Sequence, residues 1–136
     1  MSVNFAGSVG NKLYNALGRR LEQTSDSYNL LRTVLHSWQP DAPSERLPYA
    51  GNARTTSYID SRYVEDASWL KLRNITVGYA LPLGSSFPVK ARVFATASNL
   101  WTLTDYSGYD PEVASGTDTG QYPSTRSFVF GVDIKF

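Results

Sequence analysis

The chain has 136 residues, with 13 basic and 12 acidic side chains and a formal net charge of +1. That near-balance removes the electrostatic case for nucleic acid, because a backbone binder needs a basic excess on one face. The absence of cysteine excludes disulfide frameworks, thiolate zinc sites and cysteine nucleophiles.

The opening, Met-Ser-Val-Asn-Phe-Ala-Gly, has no basic region followed by an apolar core. It does not read as a secretory signal, so an export signal is expected outside this chain. No run of about 18 apolar residues occurs, so no transmembrane helix is predicted. Residues 2–7 are strand-like. Leu13, Tyr14, Leu17 and Leu21 then fall at helical spacing, as do Leu30, Leu31, Val34, Leu35 and Trp38. Ser25 or Asp26 would cap the second helix, and Pro40 lies just beyond its end. Residues 39–57, with Pro40, Pro43, Pro48 and Gly51, read as an irregular loop.

Near Tyr58 the pattern becomes β. A short strand is predicted over 58–64 and long ones over 68–81, 89–101 and 124–136, with a loop rich in Gly, Asp, Ser and Thr over 102–123. Soluble strands are most often about 5–6 residues, whereas membrane-spanning ones need about 9–11. The connections alternate between short (82–88) and long (9–67 and 102–123), the pattern of outer-membrane barrels. In the last strand Phe128, Phe130, Val132, Ile134 and Phe136 share one face, and Ser127, Val129, Gly131, Asp133 and Lys135 share the other. In 68–81, Ile75, Val77, Tyr79 and Leu81 form the apolar face. Leu70 and Leu72 have the opposite parity, which suggests a bulge where the strand leaves the lipid zone. Ala91, Val93, Ala95 and Ala97 are lipid-face candidates in the third strand. Tyr79, Trp101 and Phe136 fall at strand ends, where an aromatic girdle would lie. The same alternation also describes a soluble β-sandwich or a β-rich carbohydrate-binding module.

Four blocks decide between these readings. Residues 5–15 (FAGSVGNKLYN), 69–82 (WLKLRNITVGYALP), 98–112 (SNLWTLTDYSGYDPE) and 122–136 (YPSTRSFVFGVDIKF) resemble, in this order, the closing part of SusC/RagA-type TonB-dependent outer-membrane transporters. The resemblance implies a mainly β fold: antiparallel strands forming the C-terminal part of a transmembrane β-barrel, with a helical extracellular loop insertion. The organisation it implies is a strand over 1–8, a long extracellular loop over 9–67, and three final barrel strands over 68–136. Such barrels have about 22 strands around a plug. A four-stranded sheet alone in lipid would leave two unpaired edges, so the missing N-terminal barrel and plug are required partners, and the TonB complex would be reached through that plug. The resemblance further implies import of large nutrients, glycans or peptides, across the outer membrane of a Gram-negative cell. It also implies a SusD-like lipoprotein lid and contact with outer-membrane lipid.

The C-terminal residues Gly131, Ile134 and Phe136 resemble the signal read by the barrel-assembly machinery, with Phe130 at its usually polar position. In the loop 105–112, Tyr106, Tyr109, Asp110 and Glu112 are candidates for contact with substrate or lid. Calcium at Asp105, Asp110 and Glu112 would use hard oxygen ligands, but EF-hand spacing is absent. A purely structural loop is the third reading, with Gly108 and Pro111 setting turns and the carboxylates capping amides. No catalytic, metal or cofactor residues are predicted. The single histidine, His36, has no triad partner nearby and reads as structural or solvated.

Overall fold

The computed structural model describes residues 1–24, 29–44, 47–50, 59–82 and 89–136. The expected caps Ser25 and Asp26, the start of the strand expected over 58–64, and most of the short connection 82–88 lie outside the described residues. The chain forms two compact units: residues 1–11, 67–105 and 122–136, and residues 12–66 and 106–121.

The first unit is a four-stranded antiparallel sheet. It contains β1 (Ser2–Ser8), β4 (Trp69–Leu81), β5 (Lys90–Thr104) and β7 (Ser127–Lys135), in the order β1-β4-β5-β7. β4 and β5 run 13 and 15 residues, well beyond the usual soluble strand of about 5–6. The chain passes from β4 to β5 at the end where Leu81 faces Ala91. Both long connections leave from the opposite end, where Ser8, Trp69 and Thr104 lie abreast.

Arg73 marks an irregularity. On one side Asn4 pairs with Asn74 and Phe5 with Leu72, so Arg73 is an extra residue against β1. On the other side Leu72 faces Trp101 and Asn74 faces Ser98, so β5 carries two residues opposite Arg73. One of them, Asn99, has φ 53°, a left-handed conformation that asparagine tolerates because its short amide bonds locally. Here its Nδ2 donates to the Thr125 carbonyl at 3.1 Å. The bulge flips the parity of β4, and Leu70 and Leu72 therefore join the face of Ile75 and do not depart from it.

The second unit has its own small sheet, β3-β2-β6 (Val64–Asp66, Lys12–Asn15, Thr117–Asp118), with β2 antiparallel to β3 and parallel to β6. The helix predicted from Leu13 onward begins only at Ala16: α1 spans Ala16–Glu22, and Leu13 and Tyr14 belong to β2. Asn15 sets the switch, its Oδ1 accepting the Gly18 N–H at 2.6 Å as an N-cap. The second predicted helix is a single 3-10 turn, Arg32–His36, between extended Leu31 and Ser37 and without a side-chain cap. The Leu31 N–H is committed to the Leu21 carbonyl at 2.9 Å, and Thr33 and Val34 are β-branched, which lowers helix propensity. Where a strand was predicted over 58–64, the described residues form a 3-10 turn, Ser61–Tyr63, capped by Asp60, and then β3. Among the described residues, Leu13, Leu47, Tyr106 and Val113 are the buried apolar side chains of this unit.

Candidate functional site

In an antiparallel pair, directly opposed residues share a face. The registers therefore assemble one continuous apolar surface on the first unit. Its rows run Leu70–Leu103, Phe5–Leu72–Trp101, Val3–Ile75–Ala97–Phe128, Val77–Ala95–Phe130, Tyr79–Val93–Val132 and Leu81–Ala91–Ile134. Ile75, Val77, Tyr79, Leu81, Phe128, Phe130, Val132 and Ile134 fall in it, as do Ala91, Val93, Ala95 and Ala97, whereas Phe136 lies beyond the paired rows. The surface is uncovered: Phe128 is 63% and Phe130 79% exposed.

The reverse face is polar. Thr76 and Thr96 bond hydroxyl to hydroxyl at 2.9 Å. The Trp69 indole meets two cations, Lys71 Nζ at 5.2 Å and the Arg73 guanidinium at 5.5 Å from its centroid. Gly131 lies opposite Phe94, and a Cβ there would sit 2.6 Å from Phe94 Cε1 and closer still to Cζ. The missing side chain makes room for the ring. Ile134 lies in the apolar surface, and Phe136 follows the end of β7, almost fully exposed.

The second unit is organised by carboxylates. Asp118 Oδ2 accepts the Tyr106 hydroxyl at 2.8 Å, and its Oδ1 accepts the amides of Gly120 at 2.8 Å and Gln121 at 3.3 Å. A Cβ on Gly108 would lie 2.7 Å from Tyr106 Cζ and 2.8 Å from Asp118 Oδ2, so glycine lets the loop fold over this pair. Burial first, then the Asp118 carboxylate, pushes the Tyr106 phenol well above its usual range. Glu65 Oε1 accepts Asn15 Nδ2 at 2.9 Å and the Ser107 hydroxyl at 2.8 Å, while its Oε2 accepts the Ser107 amide at 2.9 Å. Glu22 accepts the Thr33 hydroxyl at 2.7 Å and the Tyr63 hydroxyl at 3.2 Å. Burial, followed by the Glu22 charge, pushes Tyr63 up to about 12.

Of the loop residues expected to make contacts, Tyr106 is 5% exposed and works inside the loop, whereas Tyr109 is 67% exposed. Asp110 Oδ1 accepts the Glu112 amide at 3.0 Å in a local turn, with Glu112 itself exposed. Among the described residues no cluster of three or more metal-ligating side chains forms. Beside Tyr109 this unit has a half-open pocket of about 590 Å³, lined by Leu17, Leu21, Leu31 and Leu47 with Glu22 and Glu65. The sequence did not single out Asn15, Glu65 or Asp118. Their partners lie 50 residues away for Asn15 with Glu65 and 42 for Glu65 with Ser107, and no local pattern marks such pairs.

No protein-family model matches the chain. The chain is similar over its whole length to TonB-dependent receptor P3 of Formosa agariphila, at 33% identity and 15% of that protein. It is 35% identical over 58% of its length to TonB-dependent receptor SusC of Bacteroides thetaiotaomicron. A solved structure of the RagAB peptide transporter superposes on 96% of the chain with a TM-score of 0.83 and 30% identity, again over 15% of that structure's chain. The chain belongs to the SusC/RagA family of TonB-dependent receptors. It spans about 15% of the length of the relatives it matches end to end. Its open four-stranded sheet is, in that family, part of a barrel wall. The SusC/RagA relatives named here are receptors and transporters, not enzymes.

Proposed function

We propose that this chain is the C-terminal wall-and-cap segment of an outer-membrane importer of large nutrients, glycans or peptides. The apolar rows of the sheet carry the reading. From Leu70 to Leu81 they cover eleven residue steps of β4. At about 3.3 Å per step and a tilt of about 45° this gives a band about 26 Å tall, against about 25 Å for outer-membrane barrels. Ile75, Val77, Tyr79, Leu81, Phe128, Phe130, Val132 and Ile134 face lipid, and Trp101, Tyr79 and Phe136 lie toward its borders. The polar reverse face, with Lys71, Arg73 and Thr96, lines the lumen.

The short connection lies in the periplasm, and both long connections, residues 9–68 and 105–126, lie outside the cell. There Tyr109, Asp110 and Glu112 meet cargo or a SusD-like lipoprotein. The remaining barrel, the plug and the TonB contact belong to the rest of the receptor. Gly131, Ile134 and Phe136 present the closing strand to the barrel-assembly machinery. A soluble carbohydrate-binding module fits less well, because its apolar face would be covered by a second sheet, whereas Phe130 is 79% exposed.

Nitroxide labels on the complete receptor in bilayers test the wall. Labels at Val77 and Phe130 are expected to relax strongly with oxygen and weakly with a water-soluble nickel chelate, and a label at Thr96 the reverse. Equal accessibility on both faces would reject a lipid-facing wall.

A further inference from the structure

Apolar side chains gather along residues 30–49 of the second unit without being buried. Leu30, Leu31, Leu35, Trp38 and Tyr49 are all exposed, and on the wall reading above this unit stands in external water. Leu31, with Leu17 and Leu21 on α1 and with Leu47, also lines the half-open pocket of about 590 Å³. Exposed apolar surface gathered in this way marks contact with a second surface. The pocket is large enough for more than one side chain of a single segment.

Most of the receptor lies outside this chain, which spans about 15% of the relatives it matches end to end. The nearest missing part adjoins β1. That strand stands at the edge of the sheet and, among the described residues, pairs with β4 alone. In a barrel wall the strand before it takes the free edge, about 4.8 Å away. Short and long connections alternate in such barrels. The missing strand therefore joins β1 by a short turn at the Ser2 end and carries a long loop at the Ser8 end, from which residues 9–68 also leave. Two loops of one polypeptide that rise side by side meet at high effective concentration. A cargo or a lid that departs returns the leucines to water, whereas a loop of the same receptor stays. We infer that the pocket is an internal seam of the complete receptor, filled by apolar side chains of the extracellular loop that precedes the strand before β1. They pack there against Leu17, Leu21, Leu31 and Leu47.

Photo-cross-linking in the complete receptor tests this, first alone and then with a SusD-like lipoprotein added. The probe is p-benzoylphenylalanine placed at Leu31 or, in a second variant, at Leu17. Heat-resistant migration on gels verifies that each variant still forms the barrel. The expected cross-link, identified by mass spectrometry, joins the probe to that extracellular loop in the receptor alone. A cross-link to residues 1–136 themselves, to the lipoprotein or to any other part of the receptor would overturn the inference, as would no cross-link from folded variants. Maleimide labelling reads the same cover as a rate, on a chain with no cysteine of its own. In the receptor alone Leu31→Cys is expected to react about tenfold more slowly than Leu35→Cys, whose parent side chain is 72% exposed. Equal rates, or protection only once the lipoprotein is added, would overturn it too. The inference rests on the wall reading, which the nitroxide labels at Val77, Phe130 and Thr96 measure separately. Labels that behave as expected without a cross-link to that loop remove the seam alone, whereas equal accessibility of the two faces removes the wall.

Discussion

The two units invert each other's use of hydrophobic residues. The sheet places Phe128, Phe130, Val132, Tyr79 and Val77 outward and keeps threonines, lysine and arginines on its reverse. The loop unit buries Leu13, Leu47, Tyr106 and Val113 and fixes its surroundings with carboxylates. An element hides its apolar side from whatever solvent it meets. Water explains the second unit; on the proposed wall reading hydrocarbon explains the first, where backbone satisfaction would come from the ladder and the apolar side chains would face lipid. The same 136 residues thus carry two opposite folding rules, and substitutions separate them.

The largest contrast is expected at the middle of the apolar band. Phe130→Arg or Val77→Arg in the complete receptor is expected to cost about 2–4 kcal/mol, the price of a cation near the bilayer midplane. Thr96→Arg, on the other face of the same row neighbourhood, is expected to cost far less. Reversible urea unfolding in lipid vesicles would measure all three, and equal costs would break the lipid-face assignment. Next is Gly131→Ala. Its Cβ must displace the Phe94 ring, an overpacking cost of about 1–3 kcal/mol, and a Phe94→Leu background is expected to reduce it. A loss of surface level in Gly131→Ala that Phe94→Leu does not relieve would point to the assembly signal instead of packing. In the loop unit, Tyr106→Phe removes one of three donors to buried Asp118 and is expected to cost about 1–3 kcal/mol. That cost should appear as faster proteolysis within residues 106–121, with the barrel's own melting unchanged.

These contrasts also explain what the sequence could tell. The sheet was legible because period-two alternation is local: Phe128 to Ile134 state their face without help from the rest of the chain. The bulge at Arg73 was visible as broken parity, but its effect was not. Whether Leu70 and Leu72 leave the apolar surface or rejoin it depends on Phe5 and Trp101 opposite them, a register that only pairing sets. The loop unit was poorly legible because its order is non-local. Leu13 and Tyr14 carry helical spacing yet pair with Glu65 and Val64, so a tertiary partner overrides propensity. The helix expected near Leu31 is cut to one turn by a bond to Leu21. Tyr106 and Tyr109 look equivalent in Tyr-Ser-Gly-Tyr, but one is buried on Asp118 and the other exposed. Only the position of Asp118, 12 residues on, distinguishes them.

The mildest test separates the units by pH. In an unfolded chain Tyr63 ionises near 10.0, and in the folded unit only near about 12, through burial and the Glu22 carboxylate. Between those values the unfolded chain has released a proton that the folded unit still holds, so rising pH favours unfolding. Tyr106 shifts in the same direction. The stabilisation from the Tyr63 phenol is therefore complete below about pH 10, declines as pH rises to about 12 and is lost above, and that from Tyr106 is lost in the same direction as pH rises. Absorbance at the phenolate band, followed with proteolysis of residues 12–66, is expected to show late tyrosine ionisation coinciding with loosening of the loop unit. Glu22→Gln removes the nearby charge, so ionisation of Tyr63 is expected to begin at lower pH while the Tyr106 step stays in place. If both steps move together, the two carboxylate-centred networks are one cooperative system, and the loop unit has a single core instead of two local ones.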